Sequence, residues 1–263
     1  STKDFLVKFG FSQKMINMFW SPFLTGIFLD YNLKVGKDYF LFLMKCFVTG
    51  RATLPALGMA ELPSHMAQQL PRQSIYLNEM VETWKDNQVI LSNGEIYKSK
   101  AVICAFDLAN SSDDLMEKVS YASVTTFYFT SRLLNKVKWD KWLILIPREF
   151  NLSFDNMCII SHVSADYSRS HPLLSVSVVG DARGSLSQII NDINQVAGFN
   201  LCLKLISSFT ISKALPRAPD HLQGFEIRES VIYCGDRWTS PSINGALKSG
   251  RLAAEYFIKN NGF

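Results

Sequence analysis

The chain has 263 residues, 48% of them hydrophobic and 19% charged, which is the composition of a folded protein with a substantial core and not of a disordered one. Its formal net charge of +4 is mild, and its Lys and Arg residues are scattered, which argues against a nucleic-acid partner. The longest apolar stretch, Tyr39 to Val48, is interrupted by Lys45 and is about half of the roughly 20 residues that span a bilayer. The run from Ile16 to Phe28 is also too short. No transmembrane segment is therefore expected, while 19 Phe residues, many in the first fifty positions, leave a peripheral hydrophobic face open.

From Lys3 to Val48 the apolar residues recur three and four apart, as in helices, with breaks at Gly10, Pro22 and Gly36 and caps at Asp4 and Ser12. A Gly50 to Pro55 turn leads to a helix over Met59 to Leu70, with Pro63 early in it, where a missing N–H matters least. The period then changes. Short β-rich runs at Ser74 to Leu77, Met80 to Trp84 and Gln88 to Leu91 are broken by Asp86-Asn87 and by the hairpin signal Asn93-Gly94. Ala101 to Phe106 is continuously apolar, as in a strand buried on both faces.

Strands are expected at Ser123 to Ser131, Met157 to Ser164 and Leu173 to Val179. The last of these alternates as a half-covered antiparallel strand does. A helix over Leu186 to Val196 and a strand over Phe209 to Leu215 follow. The chain closes with a buried strand, Ser230 to Cys234, then Gly235-Asp236, a loop and a helix from Asn244 to Lys259.

The closing segment carries the chemistry. A buried strand ending in Gly-Asp puts a carboxylate at the carboxyl edge of a sheet, where open α/β sheets bind ligands. Ser242 and Asn244 lead into a helix whose first turn, with Gly245 and Ala246, offers unpaired N–H groups and a positive dipole end. Gly250 and the pair Ala253-Ala254 are small residues at helical spacing that allow a close approach. The same residues also suit a plain strand, loop and amphipathic helix in which Asp236 is only a cap.

This segment resembles the C-terminal FAD motif of the superfamily of flavin-containing amine oxidases, protoporphyrinogen oxidases and phytoene desaturases. The resemblance rests on Gly235, Asp236, Gly245, Ala246, Ser249, Gly250, Arg251, Ala253 and Ala254. It implies that Asp236 bonds the FAD ribityl or pyrophosphate region, and that the backbone from Ser242 through Ile243 and Asn244 to Ala246 faces the flavin ring. Upstream, Leu54 to Leu70, Ile75 to Trp84 and Asn93 to Ala105 resemble the family's stretch that precedes and includes the middle FAD strands. That match implies that Gly58 and Met59 open a helix and that Val81 meets the adenine through its backbone.

The implied fold is α/β, α+β overall. An incomplete FAD-binding Rossmann-like domain (49–106 and 216–263) joins a substrate domain made of a helical part (1–48) and a mostly antiparallel sheet with flanking helices (107–215). The implied activity is that of an FAD-dependent oxidoreductase acting on a small molecule, with hydride passing from substrate to flavin.

Two features depart from the family. No GxGxxG follows a first strand, so the phosphate-binding unit that dinucleotide domains carry is expected either upstream of Ser1 or to have been lost. That leaves open a non-catalytic remnant, or a hydrophobic-ligand-binding protein that keeps the fold. The position that is aromatic in amine oxidases is Ile243, which suits an apolar substrate, while Trp238 in the loop reads as packing. No catalytic side chain is assigned, consistent with a reaction whose redox chemistry belongs to the cofactor. His65, His162, His171 and His221 do not cluster, so no metal site is expected. The five cysteines, Cys46, Cys104, Cys158, Cys202 and Cys234, are widely spaced and read as reduced core residues in the cytoplasm or another reducing compartment.

Overall fold

The structure is a computed structural model that describes residues 1–85, 87–106, 120–217 and 223–261. Asp86 and His221 lie outside the described residues. In chain order the helices are α1 (Thr2–Phe9), α2 (Gln13–Met15), α3 (Ser21–Phe28), α4 (Lys37–Thr49), α5 (Glu61–Ala67), α6 (Ile160–Val163), α7 (Leu186–Ala197) and α8 (Ile243–Asn261). The strands are β1 (Val81–Lys85), β2 (Gln88–Leu91), β3 (Ile96–Lys98), β4 (Val102–Cys104), β5 (Tyr121–Thr130), β6 (Ile144–Leu145), β7 (Asn156–Ile159), β8 (Leu173–Val179), β9 (Lys204–Pro216), β10 (Glu226–Arg228) and β11 (Val231–Tyr233). The fold is α/β, with helices and both parallel and antiparallel pairings. Two compact units divide the chain: Ser1–Leu62 with Tyr121–Leu215, and Pro63–Ser120 with Pro216–Phe263.

In the first unit, Ser1 and Asp4 form a capping box at the start of α1. Asp4 thus sits at the third helical position and Ser1 is the cap, a correction to the sequence expectation. Gly10 closes α1 in the left-handed region, φ 99°. Ser12 caps α2 by accepting the Met15 N–H. The break expected at Pro22 does not occur. A π-helical stretch, Ile16–Trp20, joins α2 to α3, and the Ser21 N–H reaches back to the Ile16 carbonyl. Pro22 then falls in the first turn of α3, where its missing N–H costs least.

These helices bury Leu6, Ile16, Leu24, Phe28, Leu33 and Phe40 together. Only part of the Phe content is core, because Phe9, Phe19, Phe42 and Phe47 are exposed.

The sheet of this unit has the order β6-β7-β8-β5-β9. β5 and β8 pair antiparallel from Val124 opposite Val179 to Thr130 opposite Leu173. Leu174, Val176 and Val178 are buried and Leu173, Ser175 and Ser177 are not, the alternation read from the sequence. The buried side packs with Ile189 and Ile193 of α7. The strand expected over Met157 to Ser164 ends at Ile159, where the chain turns into α6. There Ser161 Oγ accepts the Leu173 N–H at 2.9 Å, so the turn is tied to the next strand.

In the second unit, β1, β2 and β3 form an antiparallel sheet, with Gly94 at φ 87° in the turn between β2 and β3. Ser74 to Leu77 is not a strand: Arg72–Ser74 is a 3₁₀ turn, and Tyr76 and Leu77 are exposed. β4 pairs parallel with β11, and β11 pairs antiparallel with β10. β11 is buried throughout, as read. β4 is not, because Ile103 is 42% exposed between buried Val102 and Cys104. Among the described residues no strand pairs with the far edge of β4.

The cysteine reading also needs correction. Cys104 and Cys234 are buried, Cys158 is half-buried, and Cys46 and Cys202 are exposed. The Asn200 side chain accepts the Cys202 N–H in a tight turn, which holds Cys202 at the surface with φ 51°.

Candidate functional site

β11 ends at the carboxyl edge of the parallel pair, where the Cys234 N–H donates to the Cys104 carbonyl at 2.9 Å. Gly235 follows at φ 151° and ψ 176°, a conformation that side-chain-bearing residues essentially do not adopt. Its N–H donates to Ser249 Oγ at 2.9 Å, and that hydroxyl donates to the Gly224 carbonyl at 2.5 Å. Ser249 is fully buried in α8, so one side chain fastens the strand end and a second loop to the helix.

Asp236 opens a 3₁₀ turn, Asp236–Trp238. Burial raises its carboxyl pKa above the ordinary value, against two backbone hydrogen bonds, from Asp236 itself and from Arg237, that favour the charged form. Trp238 is buried, and its indole N–H donates to Glu226 Oε2 at 3.1 Å beneath the Arg237 guanidinium. The packing role read for Trp238 is what the structure shows.

The loop then closes on the start of α8. Ser242 Oγ accepts the Gly245 N–H at 3.0 Å, the bond of an N-cap. Buried Thr239 donates its hydroxyl to the Gly245 carbonyl at 2.7 Å. A Cβ on Gly245 would lie 1.8 Å from the Ser240 carbonyl oxygen, so no side chain fits there. Asn244 and Ala246 are exposed in the same turn, and Ile243 is 52% exposed.

The close approach of α8 is made by Ser249 and Ala253, one turn apart, with Ala253 packed among Ile232, Cys234, Phe225 and Phe257. Gly250 and Ala254 do not share it. A Cβ on Gly250 would meet nothing within 4 Å, and Ala254 is exposed. Small size at helical spacing therefore holds for Ala253 and not for Gly250 or Ala254, and Ser249, named in the motif without a role, supplies a buried hydroxyl at this contact.

The upstream residues fall elsewhere. Gly58 lies in the first unit in a turn at φ 99°, donates to the Pro55 carbonyl and precedes α5, and Met59 beside it is exposed. Val81 is the first residue of β1 in the second unit and is also exposed, while Trp84 on the same strand donates to the Tyr233 hydroxyl of β11 at 3.1 Å. Among the described residues no group of three His, Cys, Asp or Glu side chains could hold a metal ion. No helix among them is long and apolar enough to cross a membrane.

Residues 1–185 match the family model for flavin containing amine oxidoreductases. The chain belongs to that family, whose name implies a flavin cofactor. The matched residues end before the segment from Gly235 to Ala246. Two solved structures share the fold. One is an oxidoreductase from Methanosarcina mazei, at 9% identity and a TM-score of 0.71, covering 97% of this chain and 68% of that one. The other is a reduced UDP-galactopyranose mutase, at 14% identity and a TM-score of 0.57, covering 82% of this chain and 56% of that one. This chain thus spans little more than half the length of that mutase. No curated protein matches it.

Proposed function

We propose that this chain is part of an FAD-dependent oxidoreductase in which residues 49–106 and 216–263 belong to the FAD-binding domain, although 49–62 fall in the first compact unit. Residues 1–48 and 107–215 belong on this reading to the substrate domain. The observation that carries it is the end of β11: a half-buried carboxyl directly after a parallel strand, next to a helix whose first turn keeps Asn244 and Ala246 exposed. These residues fit one part of the cofactor. A carboxylate at a strand's carboxyl edge accepts hydroxyl donors, and a helix N-terminus favours the negative charge that a reduced flavin carries.

On this reading Asp236 holds the ribityl or pyrophosphate region, and Ser242, Ile243, Asn244, Gly245 and Ala246 present backbone to the ring. Gly58 and Met59 open a helix and Val81 meets the adenine. Bound FAD would supply the hydride acceptor. The chain's own part is to position a small, apolar substrate, to which exposed Ile243 offers an aliphatic contact.

The test is the visible absorption spectrum of the protein expressed from its complete reading frame. Flavin bands that bleach anaerobically with a reductant, and that weaken in Asp236→Ala, are the expected result. A protein that stays colourless after FAD is added overturns the reading. It would favour the second one, a non-catalytic remnant or hydrophobic-ligand-binding protein that keeps the fold.

A further inference from the structure

The first unit holds a polar centre of its own. Two cavities, of about 160 and 90 Å³, share Ile146, Arg148 and Asp155 in their walls. The smaller is also lined by Arg183 and Asn151. Tyr31 lines the larger one. Its hydroxyl donates to Asp155 Oδ2 at 2.8 Å, and its ring carries the Arg148 guanidinium at 4.6 Å and that of Arg183 at 5.4 Å from the centroid. Burial and the Asp155 carboxylate push the Tyr31 pKa far above its ordinary value, so Tyr31 stays a donor at any working pH.

The charges do not cancel in the smaller cavity. Asp155 Oδ2 is taken by Tyr31 and by the Val179 N–H at 2.7 Å, and Oδ1 faces Arg183 Nη2 at 2.8 Å. Arg148 makes no ion pair among the described residues, so two guanidinium groups stand against one carboxylate. Glu149, in the wall of the larger cavity, is held by the Asn17 amide at 2.8 Å.

The hydrogen-bond account is also incomplete. Arg183 Nε is buried and meets no acceptor, and Nη2, though close to Asp155, is not aligned with it as a hydrogen bond. The Arg183 side chain is 37% exposed, so an acceptor for these donors can come from solvent or from an anion. A planar guanidinium fork matches the paired oxygens of a carboxylate or phosphoryl group.

We propose that Arg148 and Arg183, braced by Tyr31 and Asp155, form an oxyanion-binding site that takes the carboxylate or phosphoryl group of a small molecule. The site rests on the first unit alone and stands whether or not the flavin reading does.

Calorimetric titration of the chain with inorganic phosphate and, separately, with acetate tests it, at an ionic strength fixed with KCl. One of the two is expected to bind saturably at one site per chain, and the tighter anion identifies the phosphoryl or the carboxylate source. Arg148→Gln, which leaves the Arg183–Asp155 pair in place, is expected to weaken that binding at least tenfold while its circular dichroism stays that of the wild type. Arg148→Lys keeps the charge without the fork and is expected to fall between the two. If neither anion binds, so that water alone satisfies Arg183, the proposal is overturned. It is equally overturned if Arg148→Gln binds the anion as the wild type does.

Discussion

Gly245→Ala is the sharpest perturbation the second unit allows. The added methyl would stand 1.8 Å from the Ser240 carbonyl oxygen and 2.9 Å from Ser240 Oγ, and the nearer contact is backbone, which cannot swing aside as a flexible side chain does. Relief requires the 239–242 loop or the first turn of α8 to move. Movement breaks the Thr239 hydroxyl bond to the Gly245 carbonyl and the Ser242 cap on the Gly245 N–H. A lost cap costs about 1 kcal/mol, a buried hydrogen bond another ~1 kcal/mol, and residual overpacking roughly 1–3 kcal/mol. The sum, about 3–5 kcal/mol, corresponds to a fall in the melting temperature of the second unit on the order of 10 °C or more.

Gly250→Ala is the internal control. The same methyl meets nothing within 4 Å, inside the same helix, and should stabilise by up to about 1 kcal/mol. Scanning calorimetry of both variants decides it. A Gly245→Ala protein that melts within 2 °C of the wild type, on the order of a surface substitution's effect, would refute the steric argument.

Two further outcomes are expected. With a thiol-reactive disulfide reagent at pH 8, exposed Cys46 and Cys202 should react while Cys104, whose pKa burial pushes up to about 12, and buried Cys234 wait for denaturant; mass mapping of the labelled sites checks this. Asp236 should make the wild type lose stability relative to Asp236→Asn as pH rises. Its folded pKa lies above the unfolded value of about 3.9, so the folded state binds the extra proton and its advantage drains away from there upward, through the folded pKa. Urea midpoints of the two proteins from pH 3 to 7 test the sign, and a difference that stays flat or reverses would sink it.

Much of the fold was legible because period and punctuation agreed. Leu173 to Val179 alternates, Leu186 to Val196 repeats at helical spacing behind Ser185, and Asn93-Gly94 marks a turn, and each became the element its pattern predicts. What stayed hidden depends on partners. Ala101 to Phe106 reads as doubly buried because it is apolar throughout, yet Ile103 faces outward. Pro22 reads as a break because sequence cannot show that a π-helical turn will absorb it. At the candidate site, Gly235, Asp236, Ser242 and Gly245 also suit a plain strand, loop and capped helix, and only the ordered resemblance to a family motif singled them out. Ser249 was named with them but its role was not legible, since a serine inside a helix carries no mark of the one amide and the one carbonyl it joins. Arg148 and Arg183 were missed for a related reason: they are 35 positions apart in the sequence, and only Tyr31 and Asp155 bring them to one cavity.

The Ser249 hydroxyl also has a mechanical meaning. It sits six residues into α8 and grips two separate stretches of chain, one just before β10 and one just after β11. Because α8 is a single rod of 19 residues, a tug at its first turn is passed through this rivet to both stretches at once. Anything that seats against Asn244 or Ala246 would therefore be felt at Gly224 and Gly235 together, and strand β11 between them would shift as a piece or not at all.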